Sequence, residues 1–375
     1  MLSLQKKNLR IPMIIFNCPG FDLDDDHLLL LLKNLFDFVE VKCIITNLSP
    51  SKMRARLTRG SLDILGLHDI PVGYGEEICG KKPFDSSIIP YLADESQIFN
   101  GYELLIKTLT EAEPKSITIS ITTALTDIRK IIESHEELFF DKVKSIGIMG
   151  GVTFIGDEIF PDNVAMNNKF DIESSNFVFK KCHEKGLPIS VTMRDLAYNC
   201  QVPYSLLENL TFNEVGRCLK LRHQHAIRGL WYKACLPSNH EDRDGLPNDR
   251  NKEWFVKVFC GGNEPKNEDI WDSVSSFNLY DPINFCSCIP EIADFFLEPY
   301  NVGINKIYGL NSQYNGLKEG SDFARFLVYI HNSHVSRRNL HSLSQESLQY
   351  KQIHGRSYRR GAIPNNITVT FNSNT

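Results

Sequence analysis

Apolar runs and amphipathic stretches alternate along the first two hundred residues at a spacing that suits strands joined by helices. Met13 to Phe16 is a short continuous apolar run, read as a buried strand, and Asp25 to Phe36 carries a leucine-rich helical pattern. Val39 to Thr46 is again strand-like, and a helix follows from Ser49 to Leu65 with "SPSK" as its start signal. Beyond "DIPVGYG" come a helix around Gly101 to Glu111, the β-branched run "SITISITT" at 116–123, and a helix around Asp127 to Glu137. "VKSIGIMGG" then reads as a strand ending in glycines, 171–185 as a helix and "GLPISVTM" as one more strand. This alternation predicts an α/β fold, a mostly parallel doubly wound sheet flanked by helices on both faces.

In open sheets of this kind the ligand sits beyond the carboxyl ends of the strands. That rule selects Asn17 to Asp26, Thr46 and Asn47, Thr122 to Asp127, Met149 to Gly151, and Thr192 to Asp195 as the lining of one crevice. Residues 200–300 read as mainly helical, interrupted by "LPSNHEDRDGLPNDRNKE", whose charges, prolines and glycines mark an exposed excursion and a candidate lid. From Asn332 onward Arg337, Arg338, Lys351, Arg356, Arg359 and Arg360 stand against a single acid, Glu346. The expected division is therefore one domain over 1–331 and a basic, weakly ordered tail over 332–375. No internal repeat or low-complexity tract is present.

Composition narrows the function. With 375 residues, 42% of them hydrophobic, the chain can bury a sizeable core. A formal charge of -5 and a pI near 6.1 argue against a nucleic-acid or anionic-membrane partner and favour a small-molecule ligand. The ten cysteines lack the paired short spacings of a zinc site and read as reduced thiols. "MLSLQKKNLRIPMIIF" supports neither a secretory signal nor a membrane span, so the expected location is cytoplasmic, with signal-less delivery left open.

The chemistry concentrates in "IIFNCPGFDLDDDHLLLLL", where Asp22, Asp24, Asp25 and Asp26 fall within five residues at the end of the first strand. Carboxylates so close repel one another unless a cation or hydrogen-bond donors neutralise them. A hard cation such as Ca2+, which takes six to eight oxygens, is one answer. Capping of the leucine-rich helix by its acidic first turn is the other.

Six blocks in order resemble the inosine-uridine preferring nucleoside hydrolase family. They are "FNCPGFDLDDD" for the family's opening aspartate turn, "TNLSPSKMRARLTRGSLDILGLHDIPVGYG", "TTALTDI", "IGIMGG", "VAMNNKFD" and "LYDPI" for its His-Asp-Pro. The resemblance implies an N-ribohydrolase scaffold with a calcium ion gripping the ribose hydroxyls and a water. An aspartate deprotonates that water, which attacks an oxocarbenium-like sugar, and carboxylates near the ring suit the charge that develops there. Carried over position by position, it implies Asp25, the Thr126 carbonyl and Asp281 as metal ligands. Asp24, Asn47, Met149 and Asn167 become ribose contacts.

The departures are specific. The family's first two aspartates are Phe16 and Cys18 here, and the second of them is both a calcium ligand and the general base. A thiol is a poor ligand for a hard cation and, when neutral, a weak base. Ala165 stands where a glutamate contacts the ribose 5′ position. Tyr280, with an ordinary pKa of about 10, replaces the histidine acid. Asp22, across the Pro-Gly turn, is the candidate to replace the lost carboxylate as metal partner and base. The readings that follow are an N-ribosyl hydrolase of purine or pyrimidine nucleosides with an altered calcium site, a pseudoenzyme binding a ribosyl ligand or protein partner, and a hydrolase of a larger ribosylated substrate such as a dinucleotide. The family's oligomers make a homo-oligomer an option.

Elsewhere, His223 and His225 are candidates to reach a nucleobase, with Trp231 or Tyr232 stacking on it, against the plainer reading of solvent-facing helical side chains. "CSC" at 286–288 and "MGGV" carry neither a metal motif nor a dinucleotide fingerprint. The Lys and Arg of "SKMRARLTRG" read as a solvated helix face.

Overall fold

The computed structural model describes residues 10–20, 23–78, 89–266, 270–337 and 339–340. Asp22, Cys79 and everything past Leu340 lie outside them. The first half alternates as the sequence pattern requires: β1 (Ile11–Asn17), α1 (Asp24–Leu32), β2 (Val39–Thr46), α2 (Ser51–Ile64), β3 (Val72–Tyr74), β4 (Phe99–Asn100), α3 (Gly101–Glu111), β5 (Ile117–Ile121), α4 (Thr126–Lys142) and β6 (Val143–Met149). A hairpin, β7 (Val152–Ile155) and β8 (Glu158–Pro161), precedes α5 (Met166–Phe170), α6 (Ile172–Glu184), β9 (Ile189–Thr192) and α7 (Arg194–Asn199). The second half holds β10 (Val202–Pro203), α8 (Leu206–Asn209), α9 (Glu214–Cys235), α10 (Lys252–Phe259), β11 (Ser276–Phe277), α11 (Tyr280–Ser287), α12 (Pro290–Phe296), β12 (Tyr300–Val302), β13 (Asn305–Tyr308) and α13 (Phe323–Asn332).

Nine strands form one sheet in the order β12-β13-β9-β6-β5-β1-β2-β3-β4, parallel throughout except for the antiparallel edge pair β12 and β13. Buried apolar clusters lie on both faces, one holding α1, α9, α11 and α13, the other α3, α4 and α6. The chain runs outward from β1 to β4 and then returns to place β5 on the other side of β1. The strand order therefore switches between β1 and β5, which is where such sheets open a ligand crevice.

All nine residues of α1 are buried, so the leucine run serves a helix enclosed on every side rather than an amphipathic one. It stops at Leu32, short of the expected Phe36, because Asn34 turns to tertiary partners: its Nδ2 donates to the Ile330 carbonyl at 2.7 Å and its carbonyl accepts the Val335 N–H at 2.9 Å. That contact also bears on the segment from Asn332 expected to be a tail. Val335 and Leu340 are buried in the core, and the remainder of that segment lies outside the described residues.

The excursion between α9 and α10 is exposed, as expected, but it is pinned from beneath. Arg243 is buried, and its guanidinium donates to the carbonyls of Lys233, Leu236, Leu246, Pro247 and Arg250 at 2.8–3.4 Å. One side chain thus replaces the backbone pairing a loop lacks. Arg243→Met should loosen the loop, cost on the order of 3 kcal/mol, and open residues 236–253 to limited proteolysis. A cleavage pattern identical to wild type would contradict this role.

Candidate functional site

The acidic turn is built from the Cys18-Pro19-Gly20 corner, where Gly20 has φ 110°, a conformation side chains rarely adopt. Two buried arginines fix it. Arg54, fully buried on α2, donates to the carbonyls of Cys18 at 2.8 Å and Pro19 at 2.7 Å, and also to Leu48 and Ser49 on the neighbouring strand-end loop. Arg59 is buried too and holds the Leu67 and Ile70 carbonyls. The solvated face read from "SKMRARLTRG" thus holds for the exposed Lys52 but is corrected for Arg54 and Arg59, whose guanidinium groups satisfy loop carbonyls that no strand pairs. Arg222, from α9, grips Asp26 at 2.9 and 3.1 Å and the Gly20 carbonyl at 2.8 Å.

The other two acids of the turn have different work. Asp25 Oδ1 accepts the Cys18 N–H at 2.9 Å and the Thr122 hydroxyl at 3.2 Å, and its Oδ2 lies 3.5 Å from the Cys18 thiol. Asp24 Oδ2 accepts the Tyr280 and Asp281 N–H groups at 3.1 and 3.2 Å. Asp24 therefore caps α11, a helix more than two hundred residues away, rather than its own. The two helix N-termini meet there, and oxygen atoms of Asp24, Asp25 and Asp281 lie within 4.8 Å of one another, all three side chains buried. Three buried carboxyl groups at this separation could hold a cation, and an all-carboxylate donor set suits a hard one such as Ca2+. Cys18 is not a member of this triad.

Asn47 is fully buried with its amide engaged by the protein. Nδ2 donates to the Ala124 carbonyl at 3.1 Å and Asp127 Oδ2 at 2.8 Å, while Oδ1 accepts the Thr123 hydroxyl at 2.5 Å. Asp127 also accepts the Glu76 N–H at 3.0 Å, and burial pushes its carboxyl up to about 6. Gly75 is required beside it, since a Cβ there would stand 2.4 Å from Asp127 Oδ1. Thr126 opens α4 with its hydroxyl on Asp171 Oδ2 at 2.6 Å. Asn167 donates to the Met149 carbonyl at 3.0 Å, which brings two of the residues selected from the sequence into contact. Tyr280 places its backbone N–H on Asp24, its ring edge-on to Tyr198, and its hydroxyl within 3.4 Å of Asn278 Nδ2.

The histidines are rearranged relative to the sequence reading. His223 is buried, with Nε2 2.9 Å from His27 Nε2, and His27 Nδ1 lies 3.0 Å from His331 Nε2. His331 Nδ1 donates to the Leu327 carbonyl at 2.6 Å. A carbonyl only accepts, so this end assigns every tautomer: His331 accepts from His27 Nδ1, and His27 Nε2 accepts from His223. His223 belongs to the packing between α1, α9 and α13, while His225 and Tyr232 are exposed and Trp231 packs on Phe255 at 5.0 Å. His27, His331 and Arg222 escaped the sequence reading. The one available signal was His27 itself, a polar residue inside an unbroken apolar helix that needs a buried partner.

The fold and the carboxylate triad at its switch point define an α/β protein with a metal-type acidic crevice. The inosine-uridine preferring nucleoside hydrolase model matches residues 13–248, and the chain belongs to that family. The pyrimidine-specific ribonucleoside hydrolase RihA of Photobacterium profundum is 30% identical over 207 residues, 51% of this chain and 63% of that protein, so the chain spans less than two thirds of that relative's length. Among solved structures, the type III effector protein XopQ complexed with adenosine diphosphate ribose aligns with a TM-score of 0.74 and 22% identity, over 86% of this chain and 93% of that one. The purine-preferring ribonucleoside hydrolase of Gardnerella vaginalis aligns with a TM-score of 0.54 and 13% identity, over 85% and 98%. At these identities the structural likeness shows a shared fold. No helix among the described residues is long and apolar enough to cross a membrane.

Proposed function

We propose that the protein is an N-ribosyl hydrolase whose crevice between β1 and β5 holds a divalent cation on Asp24, Asp25 and Asp281, with Thr126 offering its carbonyl and a ribosyl group bound above them. The observation that carries this reading is the convergence of three buried carboxylates from two helix N-termini on one point. When bound, the cation would orient the sugar hydroxyls and make a neighbouring water more acidic.

The residues of the chain supply the rest. The clustered carboxylates stabilise positive charge developing at the anomeric carbon. Asn167 and Met149 flank the sugar, Asn47 orients the strand-end loops beneath it, and Tyr280 stands at the mouth as proton donor to the leaving base. Asp22 is the base in this scheme, in place of the carboxylate that Cys18 lacks. Ala165, where the family has a glutamate, leaves room for a 5′ substituent. That supports an ADP-ribosyl or dinucleotide substrate, in line with the ligand of the effector structure.

One observation favours a binding protein without turnover: the Cys18 side chain faces Asp25 where the family has its base. Calcium titration of chelator-stripped protein, followed by a screen for base release from nucleosides and dinucleotides, separates the readings. Calcium should bind wild type and bind Asp25→Asn at least about tenfold more weakly. Binding without base release would favour the second reading, and a wild type that takes up no calcium would remove the first.

A further inference from the structure

Two buried amides, one at the end of β1 and one on α11, carry polar atoms that no described residue satisfies. Asn17, at the end of β1, is fully buried, and neither its Oδ1 nor its Nδ2 has a hydrogen-bond partner among the described residues. Asn284, one turn past Asp281 on α11, is equally buried, and its Oδ1 has none. An unsatisfied buried amide costs about 1–3 kcal/mol, so two at one place point to a ligand rather than to packing.

The register shows where Asn17 is aimed. It stands opposite Thr46 on β2, and the β1 to β5 pairing, continued by the Thr122 N–H on the Phe16 carbonyl, sets it beside Thr122. Strand alternation gives its side chain the same face as Met13 and Ile15, the face that α1 and α11 cover. On that face Thr122 donates to Asp25 Oδ1 at 3.2 Å, and Ser120, two residues earlier, meets Asn284 Nδ2 at 3.2 Å. Asn17 therefore rises from the strand floor toward the first turns that carry Asp25 and Asp281.

We infer that Asn17 Oδ1 is a ligand of the cation in this crevice, supplying the strand-end oxygen that Cys18 cannot. This rests on the proposed cation site. Three carboxylates already outweigh a divalent charge, so a further oxygen is best neutral, and Asn carbonyl oxygens are ordinary calcium ligands. The amide also explains its own burial, since the ion is the partner that the protein does not provide.

The test titrates calcium chloride into chelator-stripped wild type, Asn17→Val and Asn17→Asp, with thermal melting of each with and without calcium. Metal-free Asn17→Val should melt no lower than wild type, because valine suits a buried strand and removes an unsatisfied amide. Its calcium affinity should fall at least about tenfold and its calcium-induced rise in Tm should shrink. Asn17→Asp should melt lower without calcium and gain a larger rise with it. Calcium binding in Asn17→Val equal to wild type, or an unchanged calcium shift in Asn17→Asp, would overturn the role of Asn17 and leave the cation site standing. Absence of binding in wild type would overturn both.

Discussion

Acidification should cost the protein about 3 kcal/mol of stability per pH unit between roughly pH 6 and 4. Burial holds all three rings of the His27, His223 and His331 chain neutral in the folded state: His27 well below its ordinary 6.5, His223 at about 3 and His331 at about 4. In the unfolded chain each takes a proton near pH 6.5. Below that value the unfolded state binds up to three more protons than the folded one, so stability falls with pH by about 4 kcal/mol per unit. Asp127 acts in the opposite sense. Its folded value of about 6 exceeds the ordinary carboxyl value of 3.8, so the folded state binds the extra proton in that window and returns about 1.4 kcal/mol per unit. The histidines prevail, three against one. Over those two pH units the loss is about 6 kcal/mol, enough to unfold a protein at the lower end of the ordinary range of about 5–15 kcal/mol. Guanidinium chloride midpoints measured from pH 7.5 to 5 should drop steeply, and a flat profile would mean that the three rings are protonated or solvated in the folded protein.

Removing Arg222 should cost about 3–5 kcal/mol, because it leaves Asp26 as a buried charge without its guanidinium. The pair is bidentate, both side chains are buried, and the same guanidinium holds the Gly20 carbonyl. Arg222→Met should therefore lower the denaturation midpoint and, by loosening the Pro-Gly corner, weaken calcium binding at Asp25. Pairing it with Asp26→Asn removes the stranded charge and should recover much of the stability. Equal losses in the single and double variants would show that Arg222 matters for packing and not for the charge. Because Asp26 serves this pair, the acids of the turn divide their labour: one anchors the turn to α9, and two face the crevice.

Much of the fold was legible from the chain. The alternation of apolar runs with helical patterns marked β1, β2, β5, β6 and β9 and the longer helices between them, since each element's period is a local property, while the short β3 and β4 and the β7–β8 hairpin left no such pattern to read. The acidic turn was legible for the same reason, being the nine contiguous residues Cys18 to Asp26 after a strand. Of the two readings left open for it, capping of the leucine-rich helix is not what the side chains do, since α1 has no side-chain cap and Asp24 instead accepts from the first turn of α11, while Asp24, Asp25 and Asp281 converge on a point that could hold a cation. Less legible were the ends of the elements: α1 stops at Leu32 because Asn34 pairs with residues near 330, and α4 breaks at His135, close to the expected Glu137, before a second helical stretch carries on to Lys142.

By itself the sequence determined the layer architecture, the strand ends that line the crevice, and the chemical identity of its acids, because periodicity and residue type need no partner. Tertiary structure decided which polar groups meet. His27 reaches His223 across 196 positions and His331 across 304, and Asp26 finds Arg222 across 196. No local pattern records such pairs. They are fixed only when α9 and α13 pack against α1 and exclude water, so that each buried donor or acceptor takes the partner within reach.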